Sequence, residues 1–301
     1  PSCRDEDIIE LANGCICCTV ADDFLPTMQQ LLAQDPPPDH IVIETSGLAL
    51  PQPLVQAFNW PDIRASVRLD GVITLVDGPA IQAGGFVQDM AALDAQRQAD
   101  EELDHESPIE ELFSDQLEAA NLILLSKSDL LDAEAIASVS QTISQSLSHK
   151  TPIVPVSAHT ASLPALLGLG LEDEAFARSA HSHHHHDDHD HDHHHHHEHG
   201  HDAFESRILI LPALEDGPAF VGKLSDVAEE FGVLRAKGRL AVTGKMLPLI
   251  VQAVGRRVDS YFGKAGPKDR NDGTSALVVI GPSGMDFEGI ASALGGSWQS
   301  A

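Results

Sequence analysis

Three of the chain's four cysteines, Cys15, Cys17 and Cys18, fall within four positions of the run Asn13-Gly14-Cys15-Ile16-Cys17-Cys18-Thr19. Thiolates are soft, strong ligands for Zn(II), Cu(I) and other late transition ions, and a neighbouring cation lowers their pKa. A packed core rarely needs three thiols this close together, so the block reads first as a metal site. Two other readings stand beside it. Cys15 and Cys18 form a C-x-x-C of the kind used in thiol redox chemistry, and a cysteine can also be no more than a small buried hydrophobe. Cys17 and Cys18 are too close for an unstrained disulfide. Three ligands leave a four-coordinate ion one open position, which suits a site that passes its metal on better than one that staples a fold.

A second metal-capable stretch spans residues 181–201, which hold 14 of the 18 histidines. Among them are His183, His184, His185, His186, His193, His194, His195, His196 and His197, interleaved with Asp187, Asp188, Asp190, Asp192 and Glu198. The tract has no apolar side chain to bury, so it is expected to be a disordered linker whose imidazoles and carboxylates capture divalent ions loosely and exchange them. A solvated spacer is the alternative. Its internal position and irregular Asp spacing set it apart from a purification tag.

Apolar runs near 8–11, 41–43, 71–76, 122–125 and 153–156 alternate with helical patterns near 22–34, after Pro51, near 109–120 and near 132–147. This rhythm predicts an α/β fold, a mostly parallel sheet with helices on both faces. Ligands of such sheets sit at the carboxyl ends of the strands. Those ends are polar here: Glu44-Thr45-Ser46-Gly47, Asp77, Ser126-Lys127-Ser128-Asp129 and Ser157-Ala158. An acid closing an apolar strand, followed by glycine, is where a nucleotide-hydrolysing domain holds Mg(II) and senses a γ-phosphate, which points to Glu44 and Gly47. Glu44 or Asp77 could equally cap the next helix. Asp129 could accept two hydrogen bonds from the N1 and N2 groups of guanine while the Lys127 stem packs along the ring; adenine lacks those donors. The alternative is a polar turn with Asp129 as helix N-cap. Ser157 and Ala158 fit a backbone loop touching the guanine oxygen.

No G-x-x-x-x-G-K-[ST] phosphate loop occurs. The nearest stretch, from Gly238 to Gly244 and Lys245, has one residue too many and Met246 where a hydroxyl should bind Mg(II), and reads as a β-hairpin turn. Beyond the His tract, strands near 207–211, 234–242, 248–254 and 276–280 with helices near 219–231 and 287–294 predict a small α+β domain of ferredoxin-like type. The expected organisation is therefore an N-terminally truncated GTPase-type domain over 1–170, a linker over 171–205 and an α+β domain over 206–301.

With Lys+Arg 18 against Asp+Glu 46 the formal net charge is -28, which argues against clamping a phosphate backbone, so no nucleic-acid partner is expected. Neither a run of about 18 apolar residues nor a basic-then-apolar leader is present, so no membrane span or secretory signal is predicted. Clustered cysteines fit a reducing compartment, and the expected location is cytoplasmic. The chain opens at Pro1 and runs quickly into Ile8 and Ile9, as if from the middle of a domain.

Together, residues 10–20 around the cysteine block, residues 43–51 around Glu44-Thr45-Ser46-Gly47, Ser126-Lys127-Ser128-Asp129, the His-rich linker and Leu234-Arg235-Ala236-Lys237-Gly238 resemble the CobW family of P-loop GTPase metal chaperones. The resemblance covers essentially the whole chain. Asn59-Trp60-Pro61 and residues 103–108 and 251–255 look most like the branch tied to aerobic cobalamin biosynthesis. It implies a GTP- and Mg(II)-dependent switch that loads a divalent metal at Cys15, Cys17 and Cys18 and hands it to a metal-accepting protein. The expected cargo is Co(II) and the expected acceptor a cobaltochelatase. Glu44 and Gly47 match the family's nucleotide-sensing loop, and Ser126, Lys127 and Asp129, with Ser157 and Ala158, its guanine-reading loops. Ser126 stands where the family pattern has Asn, which implies a looser base loop. Family members carry the P-loop upstream of the cysteine block, so the chain as written is expected to hydrolyse GTP poorly by itself. Two alternatives share these residues: a zinc chaperone for zinc-dependent enzymes, and a non-enzymatic metal buffer built on the His tract. A thiolate site prefers Zn(II) to Co(II), so the cysteines alone cannot select cobalt by affinity.

Overall fold

The computed structural model describes residues 24–45, 47–87, 91–93, 95, 109–157, 204–263 and 275–299. Cys15, Cys17, Cys18, Ala158 and the whole His tract lie outside them. Two compact units emerge: Pro1–Val72 with Ala80–Ala119, and Ile73–Pro79 with Ala120–Ala301.

In the first unit, α1 (Leu25–Leu32), α2 (Gln52–Ala57) and α3 (Pro61–Arg64) each carry a proline in the first two helical positions, where its missing N–H would be unpaired anyway and its φ is already helical. Their apolar sides meet around Phe24, Met28, Ala57 and Ile63, with the Phe24 and Phe58 rings edge to face at 5.5 Å. The expected strand at 41–43 does not form. Those residues run outside any sheet among the described residues, with Val42 74% exposed, so Glu44 does not close a strand. Strand preference reports the fit of β-branched side chains to a half-buried pleated surface, and nothing described covers Val42.

The second unit contains two sheets. The first is parallel, with order β1-β2-β3 formed by β1 (Ile73–Asp77), β2 (Leu122–Ser126) and β3 (Ile153–Pro155). The central strand is an unbroken apolar run with Leu122, Ile123 and Leu125 buried, the pattern of a strand covered on both faces. Between the strands run α4 (Gly78–Gln82), α5 (Ile109–Glu118), which belongs to the first unit, and α6 (Ala133–Ser146).

The other sheet is antiparallel throughout, built from β4 (Phe204–Leu211), β5 (Arg235–Leu240), β6 (Leu249–Val254), β7 (Arg257–Phe262), β8 (Ser275–Pro282) and β9 (Ser297–Trp298), in the order β7-β6-β5-β8-β4-β9. Helices α7 (Gly217–Phe231) and α8 (Phe287–Leu294) lie in its connections. Without the β6–β7 hairpin, the order β5-β8-β4-β9 with two helices is the ferredoxin-like βαββαβ arrangement. Phe220, Leu224, Ile290 and Leu294 of the helices pack on Leu209, Val251, Leu277 and Val279. On another side Leu234 and Val254 pack against Leu122, Val154 and Val156, so the two sheets share apolar contact. The stretch from Gly238 to Lys245 is a hairpin, with Leu240 opposite Leu249 and Gly244 at φ 73° in the turn. Gly238 is required by packing, since a Cβ there would lie 2.5 Å from the Ala276 carbonyl oxygen. Among the described residues no helix is long and apolar enough to cross a membrane.

Candidate functional site

Parallel pairing puts Asp77, the last residue of β1, beside Ser126, the last of β2. The Ser126 hydroxyl donates to the Val76 carbonyl at 2.9 Å, so the serine fastens the 126–129 turn to its neighbouring strand. Gly78 comes so near that a Cβ would meet Leu131 Cδ1 at 2.9 Å and the Ser126 carbonyl oxygen at 3.0 Å. The chain then turns sharply at Lys127, whose φ of 56° makes it the one non-glycine residue with positive φ among the described residues. Holding it there costs about 1–3 kcal/mol, which the surrounding bonds must offset. They do so from the third strand. Ser128 N–H donates to the Val156 carbonyl at 3.1 Å, and Val156 N–H donates to the Leu125 carbonyl at 2.8 Å. Ser157 follows, buried.

The Lys127 ammonium sits 2.5 Å from Asp77 Oδ2, with the two side chains 46% and 19% exposed. A pair this open to solvent contributes about 0–1 kcal/mol, so its consequence is to fix where the ammonium points, not to stabilise the fold. Asp129 is not the N-cap of the following helix. That place belongs to Asp132, which accepts from Ala135 N–H at 2.8 Å. Asp129 is exposed, and no group among the described residues engages its carboxylate. A free carboxylate on a turn tied to three strand ends can accept two parallel N–H donors from the edge of a purine such as guanine.

Glu44 and Gly47 belong to the first unit, and both are exposed. A Cβ at Gly47 would meet nothing within 4 Å, so packing does not demand glycine there. The loop is nevertheless held. Gln116 Nε2, on α5, donates to the Gly47 and the Ala49 carbonyls at 2.9 Å each, and Gln52 Nε2 donates back to the Asp115 carbonyl at 3.3 Å.

The structure thus brings Ser126, Lys127, Asp129 and Ser157 together with Asp77, and it describes Glu44 and Gly47 in the other unit. Cys15, Cys17, Cys18, Ala158, and the histidines from His183 to His197 lie outside the described residues. Among the described residues no group of three or more His, Cys, Asp or Glu is placed to hold a metal. Glu44 has the chemistry of a ligand to nucleotide-bound magnesium. Mg(II) takes most of its ligands from phosphate and water and needs only one or two carboxylates, and Glu44 offers an exposed one. Two residues escaped the sequence reading as partners of these loops. Asp77 was visible only as an acid at a strand end, and nothing in the pattern of α5 singles out Gln116.

A model of the CobW/HypB/UreG nucleotide-binding domain matches residues 2–155, and one of the cobalamin synthesis protein CobW C-terminal domain matches residues 215–297. The zinc chaperone CobW of a Sinorhizobium species is 48% identical over 293 residues, 97% of this chain and 81% of its own length. The zinc chaperone CobW of Pseudomonas aeruginosa is 45% identical over 296 residues, 97% of this chain and 76% of its own. Among solved structures, the Zn(II)-bound YjiA GTPase from E. coli aligns with 91% of this chain and 75% of that one, at 21% identity and a TM-score of 0.31.

Proposed function

The chain belongs to the CobW family of P-loop GTPase metal chaperones, and from that premise we propose that it is a GTP-dependent zinc chaperone. The observation that carries the cargo is the near-half identity, across 97% of the chain, to two proteins named zinc chaperones. Co(II) delivered to a cobaltochelatase rests only on the short segments at 59–61, 103–108 and 251–255. Zn(II) is also the ion that thiolates hold more tightly, so zinc is the reading carried forward.

In this account residues 1–170 form the GTPase-type domain, 171–205 the linker and 206–301 the C-terminal domain. The Asp129 carboxylate accepts the guanine N1 and N2 donors, the Lys127 stem, directed by Asp77, lies along the ring, and the Ser157 and Ala158 backbone meets the guanine oxygen. Bound Mg(II) and GTP supply a γ-phosphate whose presence or loss distinguishes two states. Gly47, with open space where a Cβ would be, lets the backbone approach that phosphate, and Glu44 presents its carboxylate beside it. Cys15, Cys17 and Cys18 hold the Zn(II) cargo as thiolates and leave a fourth position where a ligand of the metal-accepting protein enters. Transfer is then ligand exchange with no change of oxidation state. The His tract gathers Zn(II) loosely and feeds the cysteines. A reducing cytoplasm keeps the thiols available.

Competitive Zn(II) titration against a chromophoric chelator tests the site. Cys17→Ser should weaken the tight site by more than about 100-fold, beyond the usual effect of losing an outer-shell partner, while deleting residues 181–201 should spare it. Tight binding that disappears with the tract and survives Cys17→Ser would make the protein a metal buffer instead.

A further inference from the structure

We infer that Gln116 is a positioning residue for the nucleotide-sensing loop, and that its carboxamide sets how well the protein distinguishes GTP from GDP. The inference rests on the function proposed above.

One nitrogen does the holding. Gln116 Nε2 has two protons, and it directs them to the Gly47 and Ala49 carbonyls, at 2.9 Å each, across sequence separations of 69 and 67 residues. Because a peptide group is planar and trans, fixing a carbonyl also fixes the N–H of the next residue on the opposite side. Gln116 therefore orients the Gly47–Leu48 and Ala49–Leu50 peptide planes, one on either side of the peptide that follows the buried Leu48. Gly47 is the residue of this loop with the widest backbone freedom, and it has no side-chain packing of its own to restrain it. Without the clamp, ordering Gly47 for a phosphate carries the full entropy of a glycine.

The tie runs both ways, since Gln52 just past the loop donates to the Asp115 carbonyl one residue before Gln116. Helix α5 ends at Glu118, and the chain passes through Ala119, Ala120 and Asn121 into β2, the strand that ends in Ser126. One uninterrupted stretch of chain thus carries both the clamp on the sensing loop and the turn that reads the base. A γ-phosphate is present only in GTP, so an element that preorganises Gly47 favours GTP and leaves GDP untouched.

The test uses protein expressed from its complete reading frame, with fluorescent GTP and GDP analogues in the presence of Mg(II). Gln116→Leu removes both donors and keeps an aliphatic side chain on the helix. It should cut the preference for GTP over GDP by about tenfold, the order expected for one or two lost hydrogen bonds, with GDP affinity unchanged. Gln116→Lys, which again offers N–H donors at this reach, should restore most of the preference. In nucleotide-free protein, amide hydrogen exchange across residues 47–52 should quicken in Gln116→Leu and return towards wild type in Gln116→Lys. Discrimination that survives Gln116→Leu, equal losses for both nucleotides, or unchanged exchange in the loop would each overturn the inference while leaving the proposed function standing. Wild-type protein that binds neither nucleotide would overturn the proposed function, and this inference with it.

Discussion

The two sheets of the second unit use the same residue type in opposite ways. Around the antiparallel sheet, the aspartates that follow two strands are caps: Asp216 after β4 accepts from Ala219 N–H at 3.0 Å and Asp286 after β8 accepts from Gly289 N–H at 2.8 Å. The central strand β8 is buried to match, from Ser275 through Gly281. In the parallel sheet, Asp77 holds a lysine, Asp132 takes the cap, and Asp129 is left unengaged on an exposed turn. Burial is concentrated in one sheet, and the unengaged carboxylate stands at the end of the other. What an aspartate does after a strand is told by what its carboxylate accepts, not by its place in the sequence.

That contrast can be broken by substitution. The largest effect is expected in the antiparallel core: Leu277→Ala, at a position with no solvent exposure, should destabilise by about 2–5 kcal/mol in urea unfolding. Guanine-nucleotide affinity measured below the transition should not change. A parallel fall in affinity would show that the two sheets do not divide stability from chemistry. A smaller effect of the opposite kind is expected at the base loop. Asp129→Asn replaces two acceptors with one acceptor and one donor, and should lose about 2 kcal/mol of GTP affinity while gaining affinity for xanthosine triphosphate, whose ring has an oxygen at C2. Unfolding stability should move by no more than about 0.5 kcal/mol, as for an exposed side chain. Unaltered base preference, tested by competition between the two nucleotides, would remove Asp129 from the account.

Much of this arrangement could be read before the fold was seen. The strand at 122–125 announces itself as an apolar run because both faces of this central strand are covered, and the run at 153–156 forms the strand beside it. The run at 41–43 has the same composition and no strand, since three residues cannot reveal whether a neighbour exists to pair with them. β7, Arg257–Phe262, was illegible for the reverse reason: an edge strand of half-buried residues, it is defined by register with β6, Leu249 opposite Phe262, and not by any apolar pattern. Asp129 and Asp132 compete for one cap in the sequence, and only the bond to Ala135 decides between them. Gln116 leaves no local trace at all, because its partners lie more than 60 residues away in the chain.

A GTP-dependent zinc chaperone, as proposed, requires that nucleotide state alter metal affinity, and hence that metal alter nucleotide affinity by the same factor. The most direct measurement is the Zn(II) dissociation constant of the protein expressed from its complete reading frame, with Mg(II) and GTP, with Mg(II) and GDP, and with no nucleotide. The account predicts that the two nucleotide states differ by about fivefold or more, and that Cys17→Ser abolishes the difference. Identical Zn(II) affinity in all three conditions would contradict it.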